Sequence, residues 1–66
     1  MKVRYPQITV ELTGTDGNAF AVLGKVRRAL YAEGVAPADV EVFTKEAKAG
    51  DYDHLLQTCM RWVSCT

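Results

Sequence analysis

Apolar and polar residues alternate near the start of the chain. Ile8, Val10 and Leu12 are apolar, and the residues between them are polar. A period of two is typical of a strand with one buried face, so the pattern predicts a strand over Gln7–Thr13. Pro6 has no N–H to donate to a ladder, and it therefore fits the start of this strand or a sheet edge.

The next segment changes to the period of a helix. Its apolar residues recur three or four positions apart and form one stripe: Ala19, Val22, Leu23, Val26, Ala29 and Leu30. This stripe predicts a helix over Asn18–Glu33, with Gly34 as the left-handed residue that ends it. Gly24 in the helix interior costs about 1 kcal/mol relative to alanine. Close packing is our first explanation for it, and close approach of a ligand is the second.

Two shorter helical segments follow. Pro37 suits the first turn of a second helix, which is expected to end at Gly50. Its core candidates are Val40, Phe43 and Ala47. Asp51 can cap a third helix, whose apolar stripe is the strongest in the chain: Tyr52, Leu55, Leu56, Cys59, Met60 and Val63. Trp62 lies off this stripe, which makes it a candidate for a second core or an oligomer contact.

These elements predict a small α+β protein with a single domain over 1–66, in which an N-terminal strand precedes three helices. The tail "RWVSCT" is rich in strand formers, so the pattern leaves open whether it continues the helix or forms a short C-terminal strand. A lone strand needs a partner. The candidates are the C-terminal segment, Val3–Tyr5 folded back, or the same strand of a second subunit. Because the core is small, we expect a homo-oligomer that completes the sheet or the core.

The charges of the 66-residue chain balance, with eight Lys and Arg against eight Asp and Glu. Generic binding to nucleic acid or to an anionic membrane relies on excess positive charge and is therefore disfavoured. The balance hides an asymmetry. Residues 1–34 contain five cations and three anions, whereas residues 35–66 contain three cations and five anions. Opposite charges on the two halves suit self-association.

The two cysteines, Cys59 and Cys65, favour a cytoplasmic location with reduced thiols. They make no disulfide framework, and their separation fits no usual zinc spacing. The first residues lack the apolar region of a signal peptide, and no stretch is long enough to span a membrane. Neither thiol has a histidine or a basic residue placed to activate it. We therefore expect no metal, no cofactor and no enzymatic activity.

The segment "GTDGN" is the best candidate for a ligand-binding element. A strand, a turn with glycines and the start of a helix bring backbone N–H groups and the positive end of the helix dipole together, which favours phosphate or carboxylate. The segment matches neither dinucleotide-binding nor P-loop spacing. In the alternative interpretation, the glycines only form a turn and Asp16 or Asn18 only caps the helix.

Further along the chain, Lys25, Arg27 and Arg28 form a compact basic patch. It is large enough for a nucleotide or an acidic partner and too small for duplex DNA. Tyr52 and His54 could stack on a base, whereas the carboxylates beside them suit capping rather than metal binding. The predicted ligand-binding residues are Thr13, Gly14, Thr15, Gly17, Asn18, Lys25, Arg28, Tyr52 and His54. In the simpler alternative, the basic patch is a helix face that contacts only solvent.

The segments "DGNAF" and "GDYDHLL" carry a resemblance that covers nearly the whole chain. The chain resembles a family of small proteins encoded in bacteriophages and in prophage-like regions of bacterial genomes. The resemblance implies a small accessory protein in the cytoplasm of a bacterial host. It assigns no catalytic or binding residue to this chain.

Three classes of function remain after these arguments. The first is a non-enzymatic module that binds a phosphorylated small molecule, such as a nucleotide immune signal that a phage protein sequesters. The second is an interaction module that inhibits or redirects a host protein through the charge asymmetry and Trp62. The third is a nucleic-acid accessory protein, which the zero net charge disfavours.

Overall fold

The computed structural model describes residues 3–12 and 18–66. The described chain forms two strands and three helices in the order β1 (Tyr5–Val10), α1 (Ala19–Ala32), α2 (Pro37–Ala47), α3 (Tyr52–Trp62) and β2 (Val63–Cys65). This arrangement confirms the predicted small α+β class. For the tail, which the sequence left open, α3 continues to Trp62 and a short strand follows. The first strand begins two residues earlier than the alternating pattern indicated.

The C-terminal segment is the partner of the first strand. β1 and β2 pair in parallel, with Tyr5 opposite Val63 and Val10 opposite Cys65. Parallel strands need a crossover connection, and here all three helices form it. Pro6 lies within β1 at the edge of this two-stranded sheet, where its carbonyl accepts a 2.8 Å hydrogen bond from the Ser64 hydroxyl.

The ends of α1 lie where the sequence predicts them. The Asn18 side chain accepts hydrogen bonds from the backbone N–H groups of Phe20 and Ala21, at 3.0 and 3.2 Å. At the other end Gly34 has a φ of 82° and donates to the carbonyl of Tyr31. Both assignments are confirmed: an asparagine begins the helix, and a left-handed glycine ends it.

The starts of the second and third helices also lie where the sequence predicts them. Pro37 is the first residue of α2, and the Asp51 side chain accepts a 2.9 Å hydrogen bond from the His54 N–H at the start of α3. The prediction that α2 reaches Gly50 is wrong, because the helix ends at Ala47. The residues between Ala47 and Asp51 instead make a tight corner between the two helices.

One core holds all the elements together. Its buried apolar residues come from both strands and all three helices: Ile8, Val10, Val22, Leu23, Val26, Leu30, Val40, Phe43, Ala47, Leu55, Cys59, Trp62 and Val63. Two assignments for the last helix are wrong. Trp62, which we assigned to a second core or an oligomer contact, is only 3% exposed and belongs to this core. Met60, which we placed in the apolar stripe, is 51% exposed.

The pairing of β1 with β2 removes one reason to expect an oligomer, since the first strand finds its partner within its own chain. The expectation of self-association then depends on surface features alone. Among the helices of the described residues, none is both long and apolar enough to cross a membrane.

Gly24 has space for a side chain. Apart from its chain neighbours and the adjacent backbone of α1, no atom of the described residues lies within 4 Å of a Cβ built on Gly24, so close packing does not explain this glycine. We expect Gly24→Ala to stabilise the protein by about 1 kcal/mol, because alanine restricts the unfolded chain and favours the helix. Urea denaturation measures the change. Gly34→Ala is the control and should destabilise, since its φ of 82° strains any residue with a Cβ. A destabilised Gly24→Ala protein would contradict this assignment.

Burial raises the pKa of the Cys59 thiol from its ordinary value of 9.0 to about 12, and the neighbouring Cys65 adds to the shift. Between these values the unfolded thiol has lost its proton while the native thiol keeps it, so stability falls as the pH rises. At about pH 10 this thiol should cost the native state about 1.4 kcal/mol relative to about pH 8. Urea denaturation at both pH values measures the loss. Cys59→Ala should show a smaller loss between them, and an equal loss would contradict the prediction.

Candidate functional site

A surface cavity of about 420 Å³ lies between the start of α1 and the corner that joins α2 to α3. Two segments far apart in sequence form its walls. The first contributes Ala19, Phe20 and Leu23, and the second contributes Ala47, Lys48, Gly50, Asp51, Tyr52 and Leu55. The two segments lie side by side because α1 packs against both α2 and α3. The cavity is therefore bounded by residues of all three helices and of the corner between α2 and α3.

The cavity brings together residues from two segments that are distant in the sequence. Phe20 is the last residue of "DGNAF", and Gly50 begins "GDYDHLL". These two residues are thirty positions apart in the sequence, and only the packing of the helices makes them neighbours.

Most of the lining is apolar, with one large aromatic side chain at the rim. Phe20 is 80% exposed, although it lies beside the buried Leu23. Its exposure follows from its position on α1, two residues before Val22 and outside the apolar stripe that faces the core. An exposed phenyl ring beside an apolar hollow is a surface that can bury area against a partner or a ligand.

Two charged residues of opposite sign line the cavity. Lys48 caps the end of α2, and Asp51 caps the start of α3. One carboxylate oxygen of Asp51 already accepts the His54 N–H. The ion pair found within the described ranges joins Arg4 to Asp39 at 3.8 Å, so neither cavity residue is neutralised by a described side chain. The site therefore offers one cation and one anion to whatever covers it.

The predicted site residues divide into several groups. Thr13, Gly14, Thr15 and Gly17 lie outside the described residues, so their predicted role stays a prediction. Asn18 directly precedes Ala19 of the cavity wall, but its side-chain oxygen already caps two N–H groups of α1. The helix start therefore has fewer donors left for a phosphate than the sequence suggested.

The two predicted cations do not line the cavity. The Lys25 amine donates a 2.9 Å hydrogen bond to the Glu11 carbonyl, which ties α1 to the end of the first strand. Arg28 is exposed on α1, three residues further along the chain. Lys48, which is not among the predicted ligand-binding residues, is the cation in the described lining of the cavity.

Tyr52 and His54 face different surroundings. Tyr52 lines the cavity and is half-buried, as a ring that contacts a ligand should be. The His54 Nε2 atom lies 2.8 Å from the carbonyl oxygen of Glu46 and donates its proton to this carbonyl at the end of α2. His54 thus locks the corner between α2 and α3, and it is not among the residues that line the cavity.

The sequence did contain a signal for the missed residues. Phe20 is a large aromatic residue in the first turn of the predicted helix and off the apolar stripe, a position where a polar residue is usual. Lys48 and Gly50 could not be found in this way, since they were assigned to a longer α2. The cavity residues share no sequence motif, because they converge only through helix packing.

The thiols lie apart from the cavity lining. Cys59 is fully buried in α3, and Cys65 is half-buried in β2. Burial raises the pKa of the Cys65 thiol, which keeps it protonated and makes it a weaker nucleophile at neutral pH. Within residues 3–12 and 18–66, no three potential metal ligands form a group.

No protein-family model, curated protein or solved structure matches this chain. The cavity and its chemistry are therefore the basis for any statement about function.

The side chain of His54 occupies the space that a side chain at position 50 would need, so this position requires glycine. A Cβ on Gly50 would lie 2.7 Å from the Cγ atom and 2.8 Å from the Cβ atom of His54. We expect Gly50→Ala to destabilise the protein by about 1–3 kcal/mol, the usual cost of overpacking. Urea denaturation measures the loss.

His54→Ala supplies the control for the ring part of this clash, because it removes the Cγ atom at 2.7 Å and keeps the Cβ atom at 2.8 Å. The double variant Gly50→Ala/His54→Ala should lose less stability than the sum of the two single variants. Strict additivity would show that the two side chains do not compete for the same space.

Proposed function

We propose that the protein is a non-enzymatic binding module for a phosphorylated small molecule that carries a planar ring, such as a nucleotide. The cavity between α1 and the α2–α3 corner supports this proposal more than any other feature. Its volume of about 420 Å³ is within the range of small-molecule sites. Its lining combines aromatic rings with a single cation, which is the chemistry that a ring with an attached phosphate requires.

Phe20 and Tyr52 would contact the planar ring. Both side chains line the cavity, one from each wall. A base stacked on an aromatic side chain contributes about 1–3 kcal/mol, and this contact tolerates different bases. Leu23 and Leu55 form the apolar floor beneath such a ring.

Lys48 would contact the phosphate. It is exposed at the end of α2 and has no ion-pair partner in the parts of the chain that the structure describes. Asp51 would remain available to a hydroxyl or amino group of the ligand through its second carboxylate oxygen. In this arrangement the predicted backbone contacts of "GTDGN" supplement Lys48, since Asn18 already occupies two N–H groups of α1.

The resemblance to phage-encoded proteins gives this binding a biological purpose. A small protein that binds a nucleotide signal of the bacterial host without consuming it lowers the free concentration of that signal. Such sequestration needs affinity and abundance, and it needs no catalytic group. The cytoplasm of the host, where such signals are made, is the location that this role requires.

Binding can be tested with a panel of linear and cyclic nucleotides together with the matching nucleosides. A ligand that binds the native state raises the melting temperature by mass action, and isothermal titration calorimetry then gives the affinity. We expect Lys48→Gln to weaken nucleotide binding about tenfold, since a hydrogen bond to a charged group contributes about 1.5–3 kcal/mol. Nucleoside binding should be unchanged, because no phosphate is present.

Lys45→Gln is the matched control, since it removes a cation from the same helix away from the cavity. A well-folded protein that binds no member of the panel at millimolar concentration would refute the proposal. Capture of one stoichiometric protein from a host lysate would then favour the interaction module. Salt-sensitive binding to a generic DNA probe would favour the nucleic-acid accessory role.

A further inference from the structure

The cavity and the most exposed large apolar side chain of the described residues lie on the same face of the molecule. Phe20 is 80% exposed at the rim, and the hollow beside it is lined by apolar residues such as Leu23 and Leu55. A phenyl ring in water and an open apolar hollow both gain free energy from being covered. Within residues 3–12 and 18–66, no segment covers either feature.

We infer that this face is an interface between two copies of the chain, related by a two-fold axis, in which Phe20 of each copy covers the cavity of the other. A two-fold contact uses the same surface on both copies and must therefore complement itself. A face with one projecting ring and one hollow meets this condition, because each copy supplies what the other lacks.

The charges at the rim meet the same condition. Lys48 and Asp51 both line the cavity, carry opposite charges and make no ion pair with a described side chain. When the face meets its own copy across a two-fold axis, Lys48 of each copy can lie opposite Asp51 of the other. Among the described cavity residues, the contact then contains two pairs of opposite charges. This charge complementarity identifies a second copy as the occupant.

The size of the chain is compatible with such a contact. A standard stable interface buries about 800 Å² on each partner. This is roughly a fifth of the accessible surface of 4202 Å², which one face of the molecule supplies. A chain of 66 residues also gains proportionally more from added burial than a larger domain does.

This inference builds on the proposed function in one respect, because a ligand in the cavity would then lie between two subunits. The ring of the ligand would contact Phe20 and Tyr52 of its own subunit, and Phe20 of the other subunit would cover it. The interface itself does not depend on the ligand, since the rim charges and the apolar surfaces are complementary without it.

Sedimentation equilibrium of the full chain without ligand, across the micromolar range, tests the interface. The wild-type chain should form dimers. Phe20→Ala should weaken the dimer about 100-fold, because both copies lose their projecting ring. Met60→Ala is the matched control, since Met60 is 51% exposed and does not line the cavity, and it should leave the dimer unchanged.

The pairing of the two charges can be tested separately. Lys48→Glu should weaken the dimer about tenfold, because the introduced carboxylate then faces Asp51 of the other copy. Adding Asp51→Asn should restore part of the affinity, since asparagine removes the repulsion and still caps α3. Asp51→Asn alone should weaken the dimer. Lys45→Glu, a charge reversal away from the face, should have no comparable effect.

The outcomes separate this inference from the proposed function. A chain that is monomeric at every concentration, or a dimer that Phe20→Ala does not weaken, overturns the interface. Nucleotide binding by a monomer would keep the proposed function and reject the interface. A dimer weakened by Phe20→Ala and by Lys48→Glu supports the interface even when no nucleotide binds.

Discussion

Trp62 is the contact on which the rest of the structure depends. Its ring packs edge-on against Phe43 of α2, at 5.4 Å between ring centroids, and lies 6.1 Å from the ring of Tyr5 in β1. The guanidinium group of Arg4 covers its face at 4.4 Å, and its indole N–H donates to the Glu46 carboxylate at 3.3 Å. A single side chain at the end of α3 thus joins the first strand to the second helix. The parallel pairing of β1 and β2 is possible because Trp62 brings the two ends of the chain together.

The position of Trp62 also explains why part of the last helix was assigned incorrectly. A helical stripe predicts which residues face the core only as long as the helix continues. α3 ends at Trp62, and the chain then adopts the extended backbone of Val63, so the core-facing residues follow the period of a strand. Met60 belongs to the helical stripe by its spacing, but the side of α3 that it occupies is not covered. No sequence pattern gives this boundary, because an extended segment that pairs with β1 is stabilised by tertiary contact.

The features that the sequence did predict are local ones. Asn18, Gly34, Pro37 and Asp51 act on backbone groups within four residues, and each lies at the predicted helix end. The partner of β1 could only be narrowed to three candidates, since the pairing spans almost the whole chain. The candidate site shows the same limit. The polar and charged residues of the sequence pointed to the "GTDGN" segment and the basic patch. The cavity is instead mainly apolar, and it depends on how α1 packs against the other helices.

The contacts of Trp62 join the first strand to the second helix, and they leave the cavity between α1 and the α2–α3 corner open. The strands and Trp62 pack against the helices in the core, whereas the cavity is bounded by Leu23, Ala47 and Leu55. α2 stops at Ala47, so no further helical turn extends over this hollow. Phe20 cannot fill it from the same chain, because the Asn18 cap fixes the first turn of α1 with the ring outside the apolar stripe. A helix cap, an early helix end and one exposed ring therefore produce a surface whose apolar area the described residues leave exposed to solvent.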